Sequence, residues 1–168
     1  MMEKIINGID AFSEIVGKIA SFVLIALILL VVFDTASRYI FSAGSIALQE
    51  LEWYLFAIVF LLGISYALKH KSHVRVDIFY ENFSYKTKEL LNIFGIVFFI
   101  IPFSFFIIYN GFDFSYTSFV ENEVSANPGG LEYMFVIKSF IWIGFLLLVL
   151  QAFCEIIKSI QILTKKEI

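Results

Sequence analysis

The sequence has very few of the residues on which disulfide, metal and redox chemistry depend. It contains one cysteine, Cys154, and two histidines, His70 and His73, in 168 residues. A single thiol excludes an internal disulfide and a redox-active thiol pair. Two histidines three residues apart also cannot ligate a haem from facing helices, and a metal on His70, His73 and Asp77 would lack a fourth ligand. We therefore expect neither a cofactor nor a metal site.

Charged residues are also scarce, at 16% of the chain, and the formal net charge is only −3. This balance does not suggest a nucleic-acid partner. What the sequence has instead is apolar surface, since 60% of its residues are hydrophobic, 21 are phenylalanine and the mean hydropathy is +0.89. A soluble domain of this size has too small an interior to bury so much apolar surface. The composition therefore indicates an integral membrane protein that contacts lipid.

Four apolar stretches are each long enough to cross a hydrocarbon core about 30 Å thick. Two further stretches mix apolar and charged residues at helical spacing, which is typical of helices that lie at the membrane surface. The sequence thus predicts an all-α integral membrane protein with a single membrane domain over 1–168. The predicted spans are about 19–40, 48–68, 90–109 and 133–157, and the predicted interfacial helices are about 5–18 and 77–88.

The distribution of lysine and arginine predicts the orientation. Five of these residues lie between Lys69 and Lys88, whereas none lies from Asn110 to Glu132. Because cytoplasmic connections are enriched in Lys and Arg, we expect the connection that contains residues 69–88 to lie in the cytoplasm, together with both termini. The connection from 110 to 132 is then expected outside.

Ionisable residues are missing from the middle of every predicted span, although carriers usually place a binding group there. Asp34 and Arg38 lie four residues apart near the end of the first span, a spacing at which they can pair. We interpret them as an interfacial pair and not as a buried relay. An autonomous oligomeric carrier or channel, lined by Asp34, Arg38 or Glu52, stays open as an alternative. So does a membrane enzyme subunit.

Two motifs resemble a known family. The first is an acidic helix start and a tryptophan, followed by an apolar span and then a basic turn: Glu50, Glu52, Trp53, Phe60 to Gly63, His73, Arg75 and Asp77. The second is Asn127-Pro128 followed by Gly130-Leu131. Together with four spans in a chain of this length, they resemble the small membrane subunit (DctQ type) of the tripartite ATP-independent periplasmic (TRAP) transporters.

The resemblance implies a sodium-driven importer of organic acids, such as C4-dicarboxylates or sialic acids, in the bacterial inner membrane. In that family a periplasmic substrate-binding protein delivers substrate to a large multi-spanning membrane subunit, and the small subunit buttresses its static scaffold.

The resemblance also suggests roles for particular residues. The residues of the first motif, Gly63 among them, are expected to have structural or subunit-interface roles. Whether Glu50 or Glu52 carries the shared acidic role is left open. Asp113, Glu121 and Glu123 are candidate contacts for the periplasmic protein. Independently of the resemblance, the small residues Gly63, Ala67, Gly95 and Gly144 are candidates for close helix packing.

Overall fold

In a computed structural model, which describes residues 2–70 and 83–165, the regular secondary structure of these residues is helical. The described part contains four long helices, and each is long and apolar enough to cross a membrane. Their bounds are Met2–Phe41 (α1), Ile46–Lys69 (α2), Tyr85–Val120 (α3) and Met134–Lys165 (α4). The predicted all-helical class is thus confirmed for these residues, and the number of long apolar helices equals the number of predicted spans.

All four helices are longer than the spans predicted for them, and the difference is largest for α1 and α3. α1 joins the predicted interfacial helix 5–18 and the first span into one helix. α3 continues to Val120, so the first part of the segment predicted as a connection, 110–120, is helical instead. The reason is that this segment still packs on α4, where Phe119 stacks edge-on against Phe135. Of the other predicted interfacial helix, 77–82 lies outside the described residues and 85–88 forms the start of α3.

α3 contains a short π-helix, Ile96–Ile100, just before Pro102. Proline has no backbone N–H and cannot continue the α-helical ladder. The backbone N–H of Ile101 donates to the carbonyl of Ile96, which is the wider π spacing. The α-helical ladder is therefore interrupted next to Pro102 by a local change of helix type.

The helices pack as a layer in the order α1, α2, α4, α3. α2 packs between α1 and α4, while α3 packs mainly on α4. α1 also meets α4 beyond the end of α2, where Ser13 bonds Gln151. α4 is consequently the most buried of the four spans and α3 the least. We call the end with the first residues of α1 the termini end, and the end with the 42–45 and 121–133 connections the loop end.

Glycine allows two helix pairs to approach closely. A Cβ at Gly144 would lie 2.8 Å from the backbone oxygen of Leu61, so α2 and α4 touch there through their backbones. Gly17 of α1 instead leaves room for a side chain of α2, since a Cβ there would overlap the ring of Tyr66. The structure thus shows the close packing predicted at Gly144. A Cβ at Gly63 would meet nothing within 4 Å inside this chain.

Candidate functional site

Glu50, in the first turns of α2, binds the connection between α3 and α4. One carboxylate oxygen accepts hydrogen bonds from the hydroxyl of Ser125 and, at 2.9 Å, from the side-chain amide of Asn127. The other oxygen accepts from the backbone N–H of Leu131 at 2.7 Å. We call Glu50, Ser125, Asn127 and Leu131 the Glu50 cradle. It ties the start of α2 to the segment that leads into α4.

The geometry of the cradle explains the Asn-Pro-Gly-Gly sequence. Gly129 has φ +80°, a backbone conformation that side chains disfavour. A Cβ at Gly130 would lie 2.6 Å from a carboxylate oxygen of Glu50. The backbone N–H of Gly130 also donates to the carbonyl of Asn127 at 3.0 Å, which closes the turn. The two motifs, treated separately in the sequence, therefore form one site.

The other acidic residue of the motif, Glu52, lies outside the cradle. One of its carboxylate oxygens, Oε1, is buried and has no hydrogen-bond partner among the described residues. Its neighbour Trp53 is 73% exposed, and Phe56 and Phe60 are exposed on the same face of α2. The motif thus divides into Glu50, which is engaged inside the chain, and an aromatic stripe of Trp53, Phe56 and Phe60 that faces outward.

The three acidic candidates for a periplasmic contact have different surroundings. Glu123 forms an ion pair with the buried Lys138, whose Nζ also lies 3.9 Å from the centre of the Phe114 ring. The hydrogen bond from Lys138 is the main cause that lowers the pKa of Glu123. Asp113 on α3 and Glu121 just after it are exposed. Two of the three carboxylates are therefore accessible, and the third holds α4.

Asp34 and Arg38 form the predicted pair, with the acid more deeply placed than an interfacial pair requires. The Arg38 guanidinium binds one carboxylate oxygen of Asp34. The Asp34 side chain is 0% exposed whereas that of Arg38 is 41% exposed, so only the arginine reaches the surface. The remaining motif residues, His73, Arg75 and Asp77, lie outside the described residues.

A polar network at the termini end was not predicted from the sequence. Asp10 accepts hydrogen bonds from Lys158 at 2.7 Å and from Gln151 at 3.0 Å. Lys158 also contacts Glu155 at 2.6 Å, and Gln151 accepts from Ser13 at 2.7 Å. We call these five residues the termini-end network. The spacing of Glu155 and Lys158 is a local pairing signal, but nothing local connects them with Asp10.

The end of α2 is tied to α1 beside this network. Lys69 donates to the Glu14 carboxylate at 2.5 Å and to the backbone oxygen of Asp10 at 2.9 Å. His70 lies 3.2 Å from the same carboxylate. α1, α2 and α4 are thus joined by charged side chains at this end.

These side chains join neighbouring helices at both ends of the layer. Across residues 2–70 and 83–165, no three His, Cys, Asp or Glu side chains are grouped so that they could hold a metal ion. The site therefore defines a multi-pass helical membrane protein whose charged groups join its helices at both ends.

The family assignment follows from comparison with known families. The family model described as "Tripartite ATP-independent periplasmic transporters, DctQ component" matches residues 27–162, and the chain belongs to that family. It is the small membrane subunit of a TRAP transporter, and the predicted resemblance is confirmed. A comparison with curated proteins found no match.

Proposed function

We propose that this subunit serves a sodium-coupled importer of an organic acid of the C4-dicarboxylate or sialic acid class. Membership of the family implies a large multi-spanning membrane subunit and a periplasmic substrate-binding protein as partners. The proposed location is the bacterial inner membrane. Both termini face the cytoplasm in this proposal, which rests on the Lys and Arg distribution.

The role proposed for this chain is to anchor and enlarge the static scaffold against which the large subunit moves. The observation that carries it is the pair of polar ties at opposite ends of one helix layer. The Glu50 cradle fixes the loop end, and Lys158 and Lys69 fix the termini end. A helix layer held at both ends resists sliding of one helix past another, which a fixed support requires.

The aromatic stripe of α2 is the face we assign to the large subunit. Trp53, Phe56 and Phe60 project from the helix that carries most of the first motif, and each is more than half exposed. Large aromatic side chains contribute strongly to protein interfaces when they are buried there. His73, Arg75 and Asp77 follow this helix in sequence and belong to the same proposed interface.

The experiment is mild-detergent purification of the tagged chain from its native membranes, followed by uptake measurements in vesicles. We expect a much larger polytopic protein in roughly equal amount and uptake that requires a sodium gradient. A double variant, Trp53→Ala with Phe60→Ala, should lose the large subunit while the small subunit itself stays folded. A matched change on α1, Phe22→Ala with Leu29→Ala, should retain it. Recovery of the wild-type chain alone, or as a self-oligomer, would contradict the scaffold role.

The periplasmic binding protein is proposed to dock near Asp113 and Glu121. Exposed charges accelerate and orient association, and salt screens them. Asp113→Asn with Glu121→Gln should therefore weaken docking more at low than at high salt. Glu123→Gln is the control, since that carboxylate is engaged with Lys138. Identical binding isotherms for the double variant and the wild type at both salt concentrations would remove this assignment.

A further inference from the structure

Each helix contains one stretch without Asp, Glu, Lys or Arg, and charged residues bound each stretch on both sides. These stretches mark the parts of the chain that hydrocarbon accepts, because a charged side chain near the bilayer centre costs at least about 2.5 kcal/mol. They are 19–33 in α1, 53–68 in α2, 139–154 in α4 and 90–112 in α3.

Contacts between the helices show which residues lie at the same level along the layer. Glu14 meets Lys69 and Ser13 meets Gln151, which sets α2 and α4 against α1. α3 is set against α4 by two contacts near its opposite ends, Asn92 with Ser159 at 3.1 Å and Ser115 with Trp142 at 3.1 Å. One common level consequently passes close to Ala20, Gly63 and Gly144. Gly111 of α3 packs against Ile141 and Trp142 of α4, which brings Ile108 to the same level.

The charge-free stretches do not share a common level. The stretch of α3 begins about 17 residues closer to the termini end than the stretch of α1 does, which is roughly 25 Å at 1.5 Å per residue. Its boundary toward the loop end also lies about nine residues closer to the termini end than that of α1, which is roughly 14 Å. α2 and α4 take intermediate positions at both ends, in the order in which the helices pack. The two boundaries therefore slope in the same direction across the layer.

We propose that the bilayer contacts this layer along an oblique belt, with the helix axes inclined by roughly 35° to the membrane normal. The angle follows from a mean offset of about 20 Å across three interhelical spacings of about 9 Å. In this position the middles of the four charge-free stretches come to about the same depth, so the charged residues that bound them lie on either side of one common midplane. An upright layer instead buries charged ends of some helices while it exposes apolar parts of others.

The oblique belt has a structural consequence at each membrane surface. The start of α1, residues 2–18, extends from one surface, and the end of α3, residues 110–120, extends from the other. This accounts for a helix of 40 residues and one of 36 residues, both longer than an upright span needs. It also places Asp113 outside the hydrocarbon, beside the aqueous phase.

Two pairs of exposed residues test the proposal. Leu29 of α1 and Thr117 of α3 share one level, and Ala11 of α1 and Phe99 of α3 share another. Each is replaced singly by cysteine, coupled to a nitroxide in detergent and reconstituted into lipid vesicles with the whole transporter. Collision rates with oxygen, which concentrates in hydrocarbon, and with a water-soluble nickel chelate then report depth. Cys154 is fully buried, so the wild-type chain is the unlabelled control.

The oblique belt predicts opposite results within each pair. The labels at 29 and 99 should favour oxygen, whereas those at 117 and 11 should favour nickel, with ratios at least about tenfold apart because polar solutes avoid hydrocarbon. Equal ratios within each pair would show an upright layer and overturn the proposal. Because a ratio cancels shielding by a neighbouring subunit, the outcome does not depend on the proposed subunit contacts.

Discussion

Replacing Glu50 by glutamine tests whether the Glu50 cradle holds the loop end together. The carboxylate accepts from three neutral donors through its two oxygens. Glutamine keeps one oxygen and turns the other into an NH₂ donor, so at least one donor of the cradle loses its acceptor. Hydrogen bonds to a charged group contribute about 1.5–3 kcal/mol each. Because Asn127 is exposed, water replaces part of the loss, and we expect a destabilisation no larger than the contribution of one such hydrogen bond.

The assay is thermal unfolding of the purified chain in detergent, followed by the fraction that remains monodisperse after heating. For a chain of this size we expect Glu50→Gln to lower Tm by roughly 4–8 °C. Glu52→Gln is the matched control, because it changes the same chemical group two residues away, where one oxygen already lacks a partner. Equal losses of Tm in the two variants would refute the cradle as the reason for the acidic motif.

A double-mutant cycle with Ser125→Ala sharpens the same test. Residues in direct contact show non-additive effects, whereas independent residues add. Glu50→Gln and Ser125→Ala should together cost less than the sum of their separate effects. Full additivity would mean that the contact between them does not stabilise the chain.

Three further predictions concern the rest of the layer. Gly144→Ala forces α2 and α4 apart and should cost about 1–3 kcal/mol, whereas Gly63→Ala should stay within about 0.5 kcal/mol in unfolding of the isolated chain. The hydrogen bond from Lys138 lowers the pKa of the Glu123 carboxyl. The pair therefore stabilises the fold fully above the ordinary pKa of 4.5, and this contribution is lost as pH falls through the lowered pKa. A Glu123→Gln variant should lack this part of the dependence of Tm on pH. Asp10→Asn should speed hydrogen exchange in the first turns of α1, and unchanged exchange would contradict its role.

The spans could be predicted because hydrocarbon imposes length and composition on each helix separately. The continuity of α1 could not, because the charges of its first turns resembled those of a helix at the membrane surface. The structure instead pairs Asp10 with Lys158, 148 residues away in the sequence. A pairing of this kind depends on how the helices pack, and no local pattern contains that information.

The Glu50 cradle shows the same limit of prediction from sequence, here between two residues of one motif. The sequence supplied both acids of the motif, and it left open which of them matters. Two residues apart on an α-helix means roughly 200° of rotation, so Glu50 and Glu52 necessarily face different neighbours. Only the position of the 121–133 connection distinguishes them, and it places Ser125, Asn127 and Leu131 on the side of Glu50.

The polar ties also determine how the layer meets the membrane. Lipid chains are as apolar as leucine, so apolar contacts between these helices gain little from excluding lipid and do not fix one helix's level against the next. The cradle and the termini-end network are directional and lie at opposite ends, so together they fix that level for α1, α2 and α4. Because the level of each helix against the next is fixed, the charge-free stretches keep a fixed offset. The bilayer then contacts the layer along the slope that these offsets form. In this proposal the same side chains that tie the helices together also set the inclination of the subunit in the membrane.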